Sequence, residues 1–102
     1  MYANPCSLDF LSMAGHIEDT ASNPTMAAAN MRRIIDNLYY MAAIELMHAA
    51  QAVDLRENPM LGEGTKPLFE SYRKVVPYLD NDRNMSVDIQ KTYEFLKSYK
   101  TE

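Results

Sequence analysis

The sequence predicts an all-α chain, and three observations lead there. Only three of its 102 residues are glycine, and long β-branched runs, which strands favour, are missing. Residues 24 to 57 contain no helix breaker. Downstream, Leu68, Phe69, Tyr72, Val75, Val76 and Leu79 recur at i, i+1, i+4, i+7, i+8 and i+11, one face of an amphipathic helix. The predicted architecture is one long central helix, two shorter amphipathic helices and an irregular amino-terminal arm, packed in a helical oligomer.

Residues 1–23 hold Asn4-Pro5, Gly15 and Asn23-Pro24 without a sustained period, and read as the irregular arm, with room for a short helix near Ser7 to Met13. Asn23 can cap free amides and Pro24 suits the first helical position, so the long helix should start at 24. It should end at 57, because Asn58-Pro59 follows. Gly62-Glu63-Gly64 is a loop, and Thr65 can cap a helix over 66–78 that Pro77 kinks or ends. Ser86 can cap a last helix over 87–100, with Asp88 at its positive end and Lys97 and Lys100 at its negative end. All of this fits a single helical domain of residues 1–102.

The long helix decides what kind of molecule this is. About 34 residues at 1.5 Å rise give a rod of about 50 Å, more than a compact chain of this size spans. At 100° per residue, Asn30, Arg33, Asn37, His48 and Gln51 share a polar arc, which Met41, Ala43, Ile44 and Met47 fill in the middle turns. A helix apolar all round must be covered on every side, and two short helices are too few. Self-association near Leu38 to Met47 follows, with Ala43 and Met47 as the positions where an aspartate would dissociate the assembly.

Charge and composition exclude several classes. Ten basic against fourteen acidic residues give a net charge of −4, without the clustered basic face nucleic acid requires. The longest apolar run, Leu38 to Ile44, is far below the roughly 20 residues of a spanning helix. The amino terminus lacks the basic start and apolar core of a secretory signal. With Cys6 as the one cysteine, an internal disulfide is impossible, and a cytoplasmic location is expected.

Four groups of residues invite a chemical reading. Glu45 falls by angle among Ile34, Leu38, Ala49 and Ala52, where a carboxylate needs a partner; a structural ion pair with a neighbouring helix is the simplest role. Glu45-x-x-His48 also has the spacing of di-iron and di-manganese bundles, but those need a second copy of the motif and further glutamates. Asp80, Asp82, Asn84, Ser86 and Asp88 stand at alternate positions of a calcium loop. Met85 replaces its glycine and Lys91 its bidentate glutamate, leaving a turn, a cap and Arg83 paired with an aspartate. Cys6 and His16, both in the arm, are the other catalytic residue types, at no telling spacing.

Two stretches resemble the aromatic amino acid ammonia-lyase family, which includes histidine and phenylalanine ammonia-lyases. Ala43-Ile44-Glu45-Leu46, followed by Ala49-Ala50-Gln51-Ala52-Val53-Asp54-Leu55-Arg56, is similar to a helix near the family's carboxyl end. Tyr72-Arg73, Val76-Pro77, Leu79-Asp80, Asp82-Arg83 and Asp88-Ile89 are similar to its closing segment, in the same order. The resemblance covers most of this chain and about the last fifth of a family member. It implies an all-helical oligomer with long helices packed across subunits, and a carbon–nitrogen lyase whose electrophile is a methylidene-imidazolone made from Ala-Ser-Gly. That tripeptide is absent here, so no cofactor is expected in this chain and no activity from it alone. The expected partner is a further copy or a complementary ammonia-lyase fragment. By resemblance, His16-Ile17-Glu18-Asp19-Thr20-Ala21-Ser22 corresponds to the family's Gln-Glu-Asp loop, with Glu18 as the carboxylate facing the reacting centre. Glu45, Gln51, Asp82 and Arg83 are expected to be structural, buried polar residues.

Overall fold

A computed structural model describes residues 2–5 and 24–100, and these contain three helices and no strand. Helix α1 is Pro24–Asp54, α2 is Thr65–Val75 and α3 is Met85–Ser98. The chain forms two compact units, Met1–Leu38 and Tyr39–Glu102, with α1 contributing to each.

In the first unit the Arg33 guanidinium lies 4.9 Å above the Tyr2 ring, a cation–π contact between the amino-terminal residues and the helix. Met26, Met31, Ile35 and Leu38 are all exposed.

The second unit holds the core. Ala50 of α1, Tyr72 of α2, Val76 just beyond it and Phe95 of α3 form the buried centre. Leu46, Leu68, Phe69, Leu96 and Tyr99 pack around it. The Tyr72 and Phe95 rings meet edge-on at 5.6 Å, a favoured aromatic geometry. A second aromatic group, also on the carboxyl-terminal half of α3, stacks Tyr40 on Tyr93 at 4.3 Å, with the Lys97 ammonium 4.9 Å from the Tyr93 ring. Ala43 and Met47 are buried within this same unit. They hold the chain to itself and so are not positions at which self-association could be read, contrary to the sequence expectation.

The helix ends differ from their predicted positions for local reasons. Helix α1 stops at Asp54, short of 57: the Arg56 amide bonds the Val53 carbonyl at 3.1 Å in a tightened turn, and Asn58 takes φ 54°. Left-handed backbone of this kind suits asparagine, and here it lies in the turn beyond the helix end. Helix α2 starts at Thr65, where both the Thr65 hydroxyl and the Thr65 amide bond the Gly62 carbonyl. It ends at Val75, before the predicted 78. Val76 is extended, φ −124° and ψ 111°, as a residue ahead of proline must be. Arg73 and Lys74 in its last turn suit the negative end of the helix. Helix α3 begins two residues early because Asn84, not Ser86, is the cap: its Oδ1 accepts from the Ser86 amide at 3.1 Å. Among the described residues no helix is long and apolar enough to cross a membrane.

Candidate functional site

The polar residues of the second unit converge on one stretch of irregular chain, Pro77 to Leu79, between α2 and α3. An extended segment beside a helical core has backbone groups that no helix can satisfy, and something must bond them. Gln51 of α1 does so at one place. Its Nε2 donates to the Leu79 carbonyl at 2.9 Å, and its Oε1 accepts from the Leu79 amide at 3.1 Å. A side-chain amide thereby reproduces the two-bond pairing of a neighbouring strand.

Arg83 closes the other side. Its Nη1 donates to the Tyr78 carbonyl at 3.0 Å and its Nη2 to the Pro77 carbonyl at 2.7 Å. Its Nε donates to Asp88 Oδ2 at 2.7 Å, and the Asp88 side chain is only 6% exposed. The guanidinium fork therefore spends its donors on two carbonyls and one carboxylate, an arrangement lysine could not copy. Asp88 also sits in the first turn of α3, where the helix end favours a negative charge. A second pair, Arg73 with Asp54, joins α2 to the end of α1: Nη2 comes within 2.5 Å of Oδ2. That contact is one of charge, because Nη2 is not aligned for a hydrogen bond, and Arg73 Nε also has no hydrogen-bond acceptor. Nη1 does donate to the Val76 carbonyl at 3.1 Å.

Gln51, Arg83 and Asp88 thus form a latch on Pro77 to Leu79, and Asp88 also receives a buried hydroxyl chain. Thr92 Oγ1 donates its one proton to the Asp88 carbonyl at 2.7 Å, so the Tyr72 hydroxyl, 3.0 Å away, is the donor to Thr92. Burial pushes the Tyr72 phenol above its ordinary value of 10.0.

The residues singled out from sequence fall in different places. Gln51 and Arg83 are half-buried members of the latch. Glu45 and Asp82 are exposed, which corrects the expectation that both are buried. The reason for Glu45 is that the core lies on the opposite side of α1, around Ala43, Met47 and Ala50, and water solvates the carboxylate. Arg83 pairs with Asp88, leaving Asp82 to solvent. Asp88 is the buried carboxylate, and the clue to it was its place near a helix start, five residues after an arginine. Tyr72 and Thr92 gave no polar signal, since both sit at positions that simple periodicity assigns to packing.

His48 is exposed, and its Nδ1 lies 2.8 Å from the Ile44 carbonyl, so Nδ1 carries the proton and Nε2 faces outward. Among the described residues no group of three or more His, Cys, Asp or Glu side chains could hold a metal ion. The oxygens of the calcium-like stretch are otherwise occupied: Asp80 Oδ1 accepts from the Asn81 amide, Asn84 caps α3 and Asp88 holds Arg83. Glu18, Cys6 and His16 lie outside the described residues. What the described site does chemically is hold: the Gln51 amide and the Arg83 guanidinium are turned onto backbone and carboxylate.

Comparison with known proteins places this architecture. A family profile described as aromatic amino acid lyase matches residues 1–74. The chain is 37% identical over 98 residues to a histidine ammonia-lyase of Alkaliphilus metalliredigens, covering 96% of this chain and 19% of that protein. It is 41% identical over 87 residues to the histidine ammonia-lyase of Alkaliphilus oremlandii, covering 85% of this chain and 17% of that protein. The crystal structure of ergothionase, an ergothioneine-degrading enzyme of Treponema denticola, in complex with desmethyl-ergothioneine sulfonic acid, aligns with a TM-score of 0.87 at 52% identity. That alignment covers 95% of this chain and 20% of the ergothionase. Histidine ammonia-lyase of Trypanosoma cruzi aligns with a TM-score of 0.85 at 29% identity, over 95% of this chain and 19% of that one. The chain thus spans about a fifth of the length of the relatives it matches. Through its profile match, its identity to these enzymes and its helical framework, this chain belongs to the aromatic amino acid lyase family.

Proposed function

We propose that this chain acts as the helical carboxyl-terminal part of an ammonia-lyase-like protein, packing against other polypeptide of the same family in the cytoplasm. The observation that carries this reading is its near-complete alignment with one-fifth of two solved family structures. Its role is structural support. The latch of Gln51, Arg83 and Asp88 stiffens the junction between α2 and α3, and the apolar outer side of α1 offers a packing surface.

The family's methylidene-imidazolone arises from Ala-Ser-Gly. The residues of this chain do not fit that group, because its sequence has no such tripeptide, and no step of elimination is assigned to it. The electrophile comes from the complementary polypeptide. What this chain would bring to the reacting centre is Glu18, the carboxylate of the loop that resembles Gln-Glu-Asp.

Among the relatives named above, the 52% identity to ergothionase exceeds the 29% to 41% identity to histidine ammonia-lyases. This supports an ergothioneine-type betaine as the substrate of the whole protein. Elimination breaks the Cα–N bond and removes a proton from Cβ, so such a betaine releases trimethylamine where histidine releases ammonia.

The test is co-expression with a family polypeptide that carries Ala-Ser-Gly, followed by assay on ergothioneine and on histidine. The purified chain alone should release neither amine, and the assembly should release trimethylamine faster than ammonia. Elimination by the chain alone, or no complex at all, would refute the reading. A second reading, a non-catalytic helical module that associates with itself, is favoured by the exposed Met41 and Ile44 of α1.

A further inference from the structure

Three tyrosines crowd one side of the second unit, where α1 meets α3. Tyr39 and Tyr40 come from α1 and Tyr93 from α3. The Tyr40 and Tyr93 rings lie nearly parallel, with 14° between their planes and 4.3 Å between their centres. Tyr39 meets Tyr93 edge-on, at 78° and 6.1 Å. Tyr40 is 37% exposed and Tyr93 is half-buried, so the stacked pair is open to solvent. Tyr72, by contrast, is fully buried.

Each stacked ring is held through its own hydroxyl. Tyr40 donates to Gln90 Oε1 at 2.9 Å, and Tyr93 accepts from Lys97 Nζ at 2.9 Å. Both bonds lie at the surface, where water can replace either partner, so the rings can turn in place without opening the core. A phenol that has lost an electron and a proton carries unpaired spin on the carbons ortho to its oxygen. Two such rings in contact, one on each helix, are set to join there, because contact replaces diffusional encounter with a high effective concentration.

We propose that Tyr40 and Tyr93 form an oxidative modification site, at which a peroxide-driven one-electron oxidant joins α1 to α3 through a dityrosine bond. Each phenol gives up one electron and one proton. The two phenoxyl radicals form a carbon–carbon bond between ortho positions, and the two ortho hydrogens then move to the oxygens and restore both phenols. The two protons and two electrons released reduce one hydrogen peroxide to two molecules of water. Tyr39 is not the partner, since its edge-on approach keeps the ring centres 6.1 Å apart. The new bond closes a long loop of the unfolded chain and so stabilises the fold. This goes beyond the supporting role proposed above, and its test needs neither a partner polypeptide nor lyase activity.

The full chain, at low micromolar concentration, is treated with a haem peroxidase and hydrogen peroxide. The main cross-linked product should be a monomer with dityrosine fluorescence, which is read without interference because the chain has no tryptophan. Peptide mapping should join the Tyr40 segment to the Tyr93 segment with the loss of two hydrogens, and the linked monomer should melt higher than the untreated chain. Tyr40→Phe should lower the monomer's dityrosine fluorescence about tenfold or more, whereas Tyr39→Phe should leave it within about twofold of the parent. Both substitutions keep the ring, and unchanged helical circular dichroism will show that each variant is folded. Links formed only between copies, or through other tyrosines, overturn the proposal. So does monomeric dityrosine that survives in Tyr40→Phe.

Discussion

Tyr72 is fully buried, and its hydroxyl is committed as a donor to Thr92. Its pKa in the fold is raised above 10.0 by that burial. The unfolded chain therefore loses the phenolic proton first as pH rises. The contribution of this group to stability is complete below about pH 10 and is lost between that value and the higher folded pKa. Tyr72→Phe should flatten the fall in denaturation midpoint above pH 10 relative to the parent, at a cost of about 1 kcal/mol at neutral pH. An unchanged alkaline slope would show that Tyr72 is not the group responsible. Arg83 gives the larger residue-scale effect. Its loss leaves Asp88 buried without a counter-charge and frees two carbonyls, so Arg83→Ala should destabilise the chain by about 2–4 kcal/mol in urea titrations. Arg83→Lys should recover less than half of this, since one ammonium cannot span three acceptors set in a fork. These two side chains were unequally legible beforehand. Charge pairing of Arg83 follows from the acidic residues around it, whereas Tyr72 carries no mark in sequence that separates a buried donor from an ordinary core ring.

Among the elements, α2 and its exit show how covalent and tertiary constraints add. Pro77 restricts Val76 to extended backbone, and Gln51 and Arg83 then bond the three residues that follow. Pro77→Ala removes the first constraint and leaves the others. The helical signal should stay the same and stability should fall by no more than about 1 kcal/mol, measured by circular dichroism on melting. A gain of one helical turn would show that proline alone holds the exit open. Helix α1 presents the opposite case. Its continuity was readable from a breaker-free run, but which side would face inward was not. Ala43 is fully buried against its own chain. Ala43→Asp should therefore unfold the second unit, lowering stability by about 3 kcal/mol or more, and not separate intact subunits. Folded monomers of that variant would reverse this assignment.

For the whole molecule, the balance of surfaces sets the expectations. Met41 is 65% exposed and Met60 99%, beside a core of few residues. Any polypeptide that covers α1 and binds only the folded form must raise stability by mass action. The melting temperature should rise with the concentration of a complementary family polypeptide, and a midpoint indifferent to it would argue against assembly. Within such an assembly, Glu18→Gln should lower kcat by about 10²-fold without loss of the complex, as expected for a group that handles a proton or orients the reacting atoms. An unaffected rate would remove Glu18 from the reacting centre.

The order of residues alone determined that this chain is helical and where its breaks fall to within a few positions, since periodicity, proline and capping side chains act over three or four residues. It also carried the motifs that tie the chain to its family. Only the tertiary structure decided which face of α1 is core, that Asp88 is buried while Glu45 and Asp82 are solvated, and that Gln51 and Arg83 serve the backbone of Pro77 to Leu79. The physical reason is distance along the chain. Gln51 and Leu79 stand 28 residues apart and Tyr72 and Thr92 stand 20. Bonds of that span depend on how helices are packed, which no local pattern encodes.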